Sequence, residues 1–499
     1  WKKIQSGDHA ESDPGFFTDS IADSFMDSYS SGEQPDLAYI DLLCELAAGS
    51  DNSLADAAMW SLYNRIVEPL CDEFTSRGVR VCNEVLLSIL VFIRKAPTGR
   101  KMNALLDEQG FVTNESFLIR FRRLLTRPSL DASFVAGVKK IIILSRITIG
   151  SDIAITGVMV HRLRQSFSQA ELVLIGPRHM KEVFEGVPGV RCIEVLYKRH
   201  GNLFERVIMW PALFSLVQKE KKGLSPGELL LFDPDTRMTQ LGLLPLVDEE
   251  YTCYCNTRND YPEAPEMSLP ALVNRWLDGL LPEKSMQYPA VAFSEAKSRN
   301  ASLFCNRLKK NGSFVITVNL GVGRNDEKRI SGSFEEKLIS GLLQEENTIV
   351  LLDSGSSPSG RRRADSLLGI VGTEGVQTDF VYEKELPEKE ISFSHGVVGF
   401  KGSIGAIGSL IGESDAFFGY DSCCQHLACA TETPSVVVFA GAPNQRFRYR
   451  WRPHNAKDTT RVIHVDRRPE ESEKKIIKLV ERVVEEIDKI RKGEGPWSK

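Results

Sequence analysis

From residue 37 to residue 125 the apolar side chains recur at spacings of three and four. Leu42, Leu43 and Leu46 are followed by Met59, Leu62, Ile66 and Leu70, then by residues 85–93, then by Phe117, Phe121 and Leu125. That period keeps one face of a helix apolar, so the stretch predicts a compact all-helical domain. The residues before it, 1 to about 35, are rich in Ser, Asp and Gly with isolated aromatics and predict a loosely ordered leader. At Lys139 the texture changes. Ile141, Ile142, Ile143 and Leu144 form a short continuous apolar run, as expected of a parallel strand buried on both faces. A glycine-containing turn and a helical stretch follow, and further strands are predicted at 171–175, 192–195 and 229–232. Strand–helix alternation of this kind means a doubly wound α/β unit.

A Pro-rich polar stretch at 281–297 separates this unit from a second series of strands, predicted at 314–318, 348–352, 416–419 and 435–439. The chain closes on a periodic helix whose stripe is Ile476, Val480, Val483, Ile487 and Ile490. The expected fold class is α/β: two Rossmann-like lobes facing across a cleft, preceded by an all-helical N-terminal domain. Residues 1–135 are the leader and helical domain, 136–285 the first lobe and 298–470 the second. Residues 471–499 are a terminal helix expected to pack back toward the first lobe. The helical domain carries no chemical motif and reads as a packing or homo-oligomerisation module.

Composition narrows the function. With 42% hydrophobic and 26% charged residues among 499, the chain has an ordinary globular balance. A net charge of -5 excludes a general nucleic-acid binder. The greasiest run, 85–93, is closed by Glu84 and Arg94 and is too short for a transmembrane segment, so it predicts a buried helix. Ten scattered cysteines, with Cys253 and Cys255 two apart and Cys423 and Cys424 adjacent, lack the spacing of a structural zinc site. They read as reduced thiols, and with no signal-peptide pattern the expected location is cytoplasmic. No metal and no cofactor is expected.

The densest chemistry lies between the strands at 416 and 435: Tyr420, Asp421, Ser422, Cys423, Cys424, Gln425, His426. A strand that ends in a polar turn and opens a helix presents unpaired N–H groups suited to a diphosphate. Ser422 adds a hydroxyl, and His426 sits about one turn into the helix. Asp421 as a plain helix N-cap is the alternative. After the strand at 314 come Asn319, Gly321, Gly323, Asn325, Lys328 and Arg329, a flexible loop carrying cations for a leaving diphosphate. Gly150, Ser151 and Asp152 follow the first strand, and Asp233, Asp235 and Arg237 follow the strand at 229, where open sheets bind ligands. Arg446, Arg448, Arg450 and Arg452 alternate with Phe447, Tyr449 and Trp451 at strand-like period two.

Residues 415–441 resemble the donor-site signature of glycosyltransferase family 9, the ADP-heptose:lipopolysaccharide heptosyltransferases. The residues that carry the resemblance are Asp421, Ser422, His426, Leu427, Ala428, Ala430, Pro434 and Gly441. Cys423 and Cys424 stand where glycine or another small residue is common. The strand at 141 and its Gly150-Ser151-Asp152 turn are similar to the family's opening, one residue longer than the usual Gly-Asp. The resemblance runs from about Lys139 to Lys492. It implies the glycosyltransferase B fold and an inverting, metal-independent transfer with Asp152 as general base. It implies a donor site of Asn319, Gly321, Gly323, Lys328, Arg329, Ser403, Asp421, Ser422, Cys423, Cys424 and His426. Asp233, Asp235 and Arg237 would face the acceptor. A nucleotide sugar, ADP-heptose first, is the implied donor, and a saccharide or glycolipid the acceptor, met peripherally at the inner membrane surface. Two rivals stand beside this reading: a nucleotide-sugar epimerase of the same fold, and a catalytically silent nucleotide-sugar-binding scaffold.

Overall fold

The computed structural model describes residues 13–199, 201–310, 312–323, 325–355, 357–465 and 472–494. His200 and the first twelve residues, the latter part of the predicted leader, lie outside them. The chain divides into two compact units. One takes the residues up to Pro128 together with Val195–Pro265; the other takes Ser129–Glu194 together with Glu266 onward. This differs from the expected limits, because 195–265 clusters with the N-terminal helices and not with the strands at 140–194.

The reason is a set of buried polar contacts inside the first unit. Its helices include Pro14–Ser30, Glu68–Asp72, Ser76–Lys95 and Asn114–Leu125. Pro14–Ser30 replaces part of the expected loose leader, since Asp13 caps it and Ile21, Phe25 and Tyr29 are buried. Val85, Leu86, Ile89, Leu90 and Ile93 are fully enclosed, as a buried helix requires. The strands β4 (Leu229–Asp233) and β5 (Thr252–Tyr254) pair in parallel in the same unit. Arg258 donates to Asn83 at 3.4 Å, Arg237 meets Glu68 at 3.4 Å, and Arg120 donates to the Gly242 carbonyl. Phe121 meets the Tyr254 ring edge-on at 5.4 Å. These contacts tie the segment after Val195 to the helices.

In the second unit β1 (Lys140–Leu144), β2 (Glu171–Gly176) and β3 (Val190–Glu194) pair in parallel in the order β3-β2-β1. A seven-stranded parallel sheet follows. It comprises β6 (Phe314–Asn319), β7 (Thr348–Asp353), β8 (Thr378–Tyr382), β9 (Gly396–Lys401), β10 (Ala416–Tyr420), β11 (Ser435–Ala440) and β12 (Thr460–Val465). Their order is β12-β11-β10-β6-β7-β9-β8. The central strands are apolar on both faces and every residue of β10 and β11 is buried, which is why they read as unbroken apolar runs.

The terminal helix Glu473–Arg491 corrects a further expectation. Its stripe of Ile476, Val480, Val483, Ile487 and Ile490 does not turn back toward the first-lobe strands. It joins one apolar cluster with Phe334, Leu338, Leu342, Phe418, Val436 and Ile463 on the seven-stranded sheet. That sheet needs a helical layer on each face, and the stripe supplies one. No helix among the described residues is long and apolar enough to cross a membrane.

Candidate functional site

The last residues of β6 and β7, Asn319 and Asp353, stand side by side in register. Asn319 Nδ2 donates to Asp353 Oδ2 at 2.6 Å. Its carbonyl oxygen accepts from the Gly321 N–H at 3.2 Å and from the Ser422 hydroxyl at 3.3 Å. Asn319 therefore fixes the ends of three strands at the carboxyl edge of the sheet, where open α/β sheets bind ligands. Burial raises the Asp353 carboxyl above its usual range. The Ser354 hydroxyl beside it is buried and has no hydrogen-bond partner among the described residues.

Asp421 is not the N-cap of the helix Cys423–Ala430. Ser422 holds that position, and with its hydroxyl turned to Asn319 the helix has no side-chain cap. Its first-turn N–H groups thus keep their capacity for an anion. Asp421 instead pairs with Lys328 Nζ at 2.6 Å and accepts from Gln425 Nε2 at 2.8 Å. Lys328 also lies 5.2 Å from the centre of the Phe447 ring. Of the two cations named in the loop, Lys328 reaches the site. Arg329 turns inward to Asp326 at 3.0 Å and to Glu335 at 3.3 Å. Glu335 is enclosed, so its carboxyl is pushed up to about 7, and it also receives the Tyr420 hydroxyl at 3.3 Å.

His426 is 6% exposed and its ring stands edge-on to Trp451 with centroids 5.8 Å apart. Burial pushes its pKa down to about 4, so the ring is neutral near pH 7. Because the folded value lies below the unfolded one, His426 contributes stability above about pH 6.5 and loses it as pH falls through 4. Melting temperature is expected to drop over that window by the equivalent of about 3 kcal/mol, and His426→Asn to flatten the drop. Cys423 is half-buried and Cys424 buried; the hydrogen bond between them holds Cys423 below the ordinary thiol range.

Gly150 meets this helix directly. A Cβ built on it would lie 2.9 Å from the His426 ring and 3.7 Å from the Cys423 Cα. Only glycine permits so close an approach. Two residues on, Asp152 is fully enclosed and points the other way. Its carboxylate accepts from the Ser145 hydroxyl at 2.7 Å, the Arg146 N–H at 2.6 Å and the Thr156 hydroxyl at 2.9 Å. Burial raises its pKa, and the carboxylate ties its own turn together. Asp152→Asn should cost about 1–3 kcal/mol of stability, because an amide cannot accept from all three donors. Thermal melting and turnover together check this. An exposed base would leave melting unchanged and remove rate by roughly a hundredfold or more.

The acceptor-side residues are likewise corrected. Asp233 is 2% exposed, accepts from the Thr236 N–H at 2.9 Å and the Thr239 hydroxyl at 2.5 Å, and is pushed by burial to about 6. Asp235 is fully buried with a left-handed φ of 69°. It pairs with Arg258 Nε at 2.8 Å and receives the Tyr254 and Thr257 hydroxyls. Arg237 contacts Cys71 and Glu68. These groups hold the first unit together. Ser403 caps the helix Ile404–Glu413 and donates to Glu383 at 2.7 and 3.0 Å. Gly323 adopts φ 65° in an open loop. The arginine-aromatic alternation forms a short helix, Gln445–Arg450, capped by Asn444, and not a strand. Sequence reading missed Asp353 and Ser354, and gave Gln425 and Phe447 no role of their own. The strand-end rule applied to β7 would have found the first two.

Two parallel-stranded sheets wound with helices are the glycosyltransferase B architecture. A solved glycosyltransferase family 9 structure from Veillonella parvula DSM 2008 shares that fold with this chain. Identity is 14%, coverage is 73% of this chain and 98% of that one, and the TM-score is 0.50. The ADP-heptose lps heptosyltransferase II of E. coli is similar at 13% identity, over 70% and 98% of the two chains, with a TM-score of 0.48. No protein-family model and no curated protein matches the sequence.

Proposed function

We propose that this chain is a glycosyltransferase that binds a nucleoside-diphosphate sugar at the carboxyl edge of the seven-stranded sheet. One observation carries the reading. The uncapped start of Cys423–Ala430 lies beside the Lys328–Asp421 ion pair, with the Asn319 hub and Gly150 packed against it. Backbone N–H donors, a hydroxyl and a lysine converge where a diphosphate would need them. His426, kept neutral, supplies a hydrogen bond without adding charge. ADP-heptose is the first donor to test, and a glycolipid or core saccharide at the inner face of a membrane the first acceptor. Transfer is taken as inverting and metal-independent, with the cytoplasm as its setting. Asp152 serves as a positioning residue that shapes the Gly150 turn.

A second reading rests on a single observation, the enclosure of the Asp152 carboxylate. A chain without a base at that turn would bind the nucleotide sugar and leave it intact. Calorimetry with ADP and with ADP-sugars tests binding, and release of ADP in the presence of candidate acceptors tests transfer. Binding with no ADP release would favour the second reading. Absence of binding to every nucleotide would overturn both.

A further inference from the structure

Inside the first unit two thiols face each other. Cys71 lies in the short helix Glu68–Asp72, and Cys82 in the helix Ser76–Lys95. Their sulfurs are 3.5 Å apart, with Cys82 fully buried and Cys71 8% exposed. Arg237 Nη2 donates to the Cys71 sulfur at 3.5 Å. Arg258, paired through Nε with the buried Asp235, lies close enough for its charge to act on both thiols. Among the described residues the Nη1 groups of Arg237 and of Arg258 have no hydrogen-bond partner. One guanidinium therefore touches the thiol pair and a second acts on it through its charge, with Glu68 and Asp235 as the carboxylates that share that charge.

We propose that Cys71 and Cys82 are an oxidisable dithiol, a site where a hydroperoxide converts the pair into an intramolecular disulfide. The geometry supplies two sulfurs in van der Waals contact, one of them 8% exposed, and a cation that stabilises a thiolate. The hydrogen bond with Cys71, together with the Arg258 and Arg237 charges, holds Cys82 below the ordinary thiol range. The Cys82 thiolate attacks one peroxide oxygen, the O–O bond breaks, and the departing oxygen takes up a proton to leave as alcohol or water. The Cys71 sulfur then attacks the sulfenic sulfur. The S–O bond breaks, and the hydroxyl leaves as water with the Cys71 proton. Two thiols lose two electrons and the hydroperoxide gains them. Nothing equivalent is available to the other thiol pair, because Cys423 and Cys424 are neighbours in one helical turn and cannot bridge without unwinding it.

The test is brief treatment of the full chain with hydrogen peroxide, alkylation of the remaining thiols, and non-reducing peptide mapping by mass spectrometry. Arg77 and Arg80 separate the two cysteines, so trypsin yields a cross-linked peptide pair only if they have joined. The expected first product is the Cys71–Cys82 cross-link, with loss of two hydrogens. Arg237→Met should slow its formation about tenfold at neutral pH, because a thiol raised by one unit carries a tenth of the thiolate. Cys71→Ser gives an independent reading should the arginine variant fail to fold. There Cys82 should be trapped by dimedone as a sulfenic acid, with no cross-link. First oxidation at Cys423, Cys424 or Cys192, or a Cys82 that stays reduced in the serine variant, would overturn the proposal.

Discussion

Lys328→Met is expected to weaken nucleoside-diphosphate binding about a hundredfold while leaving the fold intact. Two effects add. The lysine no longer offers a donor to the phosphates, and Asp421, 7% exposed and relieved of its 2.6 Å partner, now faces the ligand as an uncompensated negative charge. The second effect makes the result diagnostic. In the double variant Lys328→Met with Asp421→Asn the repulsion is gone, so affinity should return part of the way. Isothermal calorimetry with ADP on the two single variants and the double variant measures the coupling. Affinities that simply add, or a Lys328→Met protein that binds like wild type, would remove Lys328 from the site.

Arg258→Met should be the most destabilising single change in the first unit, at about 3–5 kcal/mol. The Asp235 carboxylate it leaves behind is fully buried, and the Tyr254 and Thr257 hydroxyls are too few to replace a guanidinium. For a unit of this size the loss corresponds to a melting temperature lower by roughly 10 °C. Asp235→Asn in the same background should recover much of it, since the unpaired charge is what costs stability. Differential scanning calorimetry gives the comparison. A variant that melts like wild type would mean that water reaches Asp235 and screens it.

The fold was legible where burial leaves a one-dimensional trace. β1, β2, β6, β7, β10 and β11 are unbroken apolar runs, because parallel strands covered on both faces tolerate little else. β8 and β12 are sheet edges with one buried residue each, β9 carries two glycines, and β5 is three residues long. None of these leaves such a run, and none was anticipated. The site divides in the same way. Asp421, Ser422 and Asn319 stand together because a strand end fixes position, and the loop after β6 brings Lys328 to Asp421. Asp152, Asp233 and Asp235 turn inward, because a strand end does not fix direction. Whether a carboxylate looks out or in depended on Ser145, Thr239 and Arg258, and nothing local in the sequence names Arg258 as the partner of a residue 23 positions earlier.

The first unit is built from two stretches of chain with Ser129–Glu194 running out between them, and this limits how the protein can be cut. A shortened protein that begins after residue 128 would not shed a dispensable module. It would keep the half that carries β4, β5 and Arg258 and lose the half that holds Asn83, Glu68, Arg120 and Phe121. The orphaned half would offer solvent the Tyr254 ring, an arginine–aspartate pair stripped of its cover and two strands' worth of apolar side chain. Such a fragment is prone to associate with itself. Removing the whole unit takes two excisions, one up to residue 128 and one spanning 195–265. Limited proteolysis that nicks the chain near residue 128 should leave both pieces of the unit travelling together until denaturant is added.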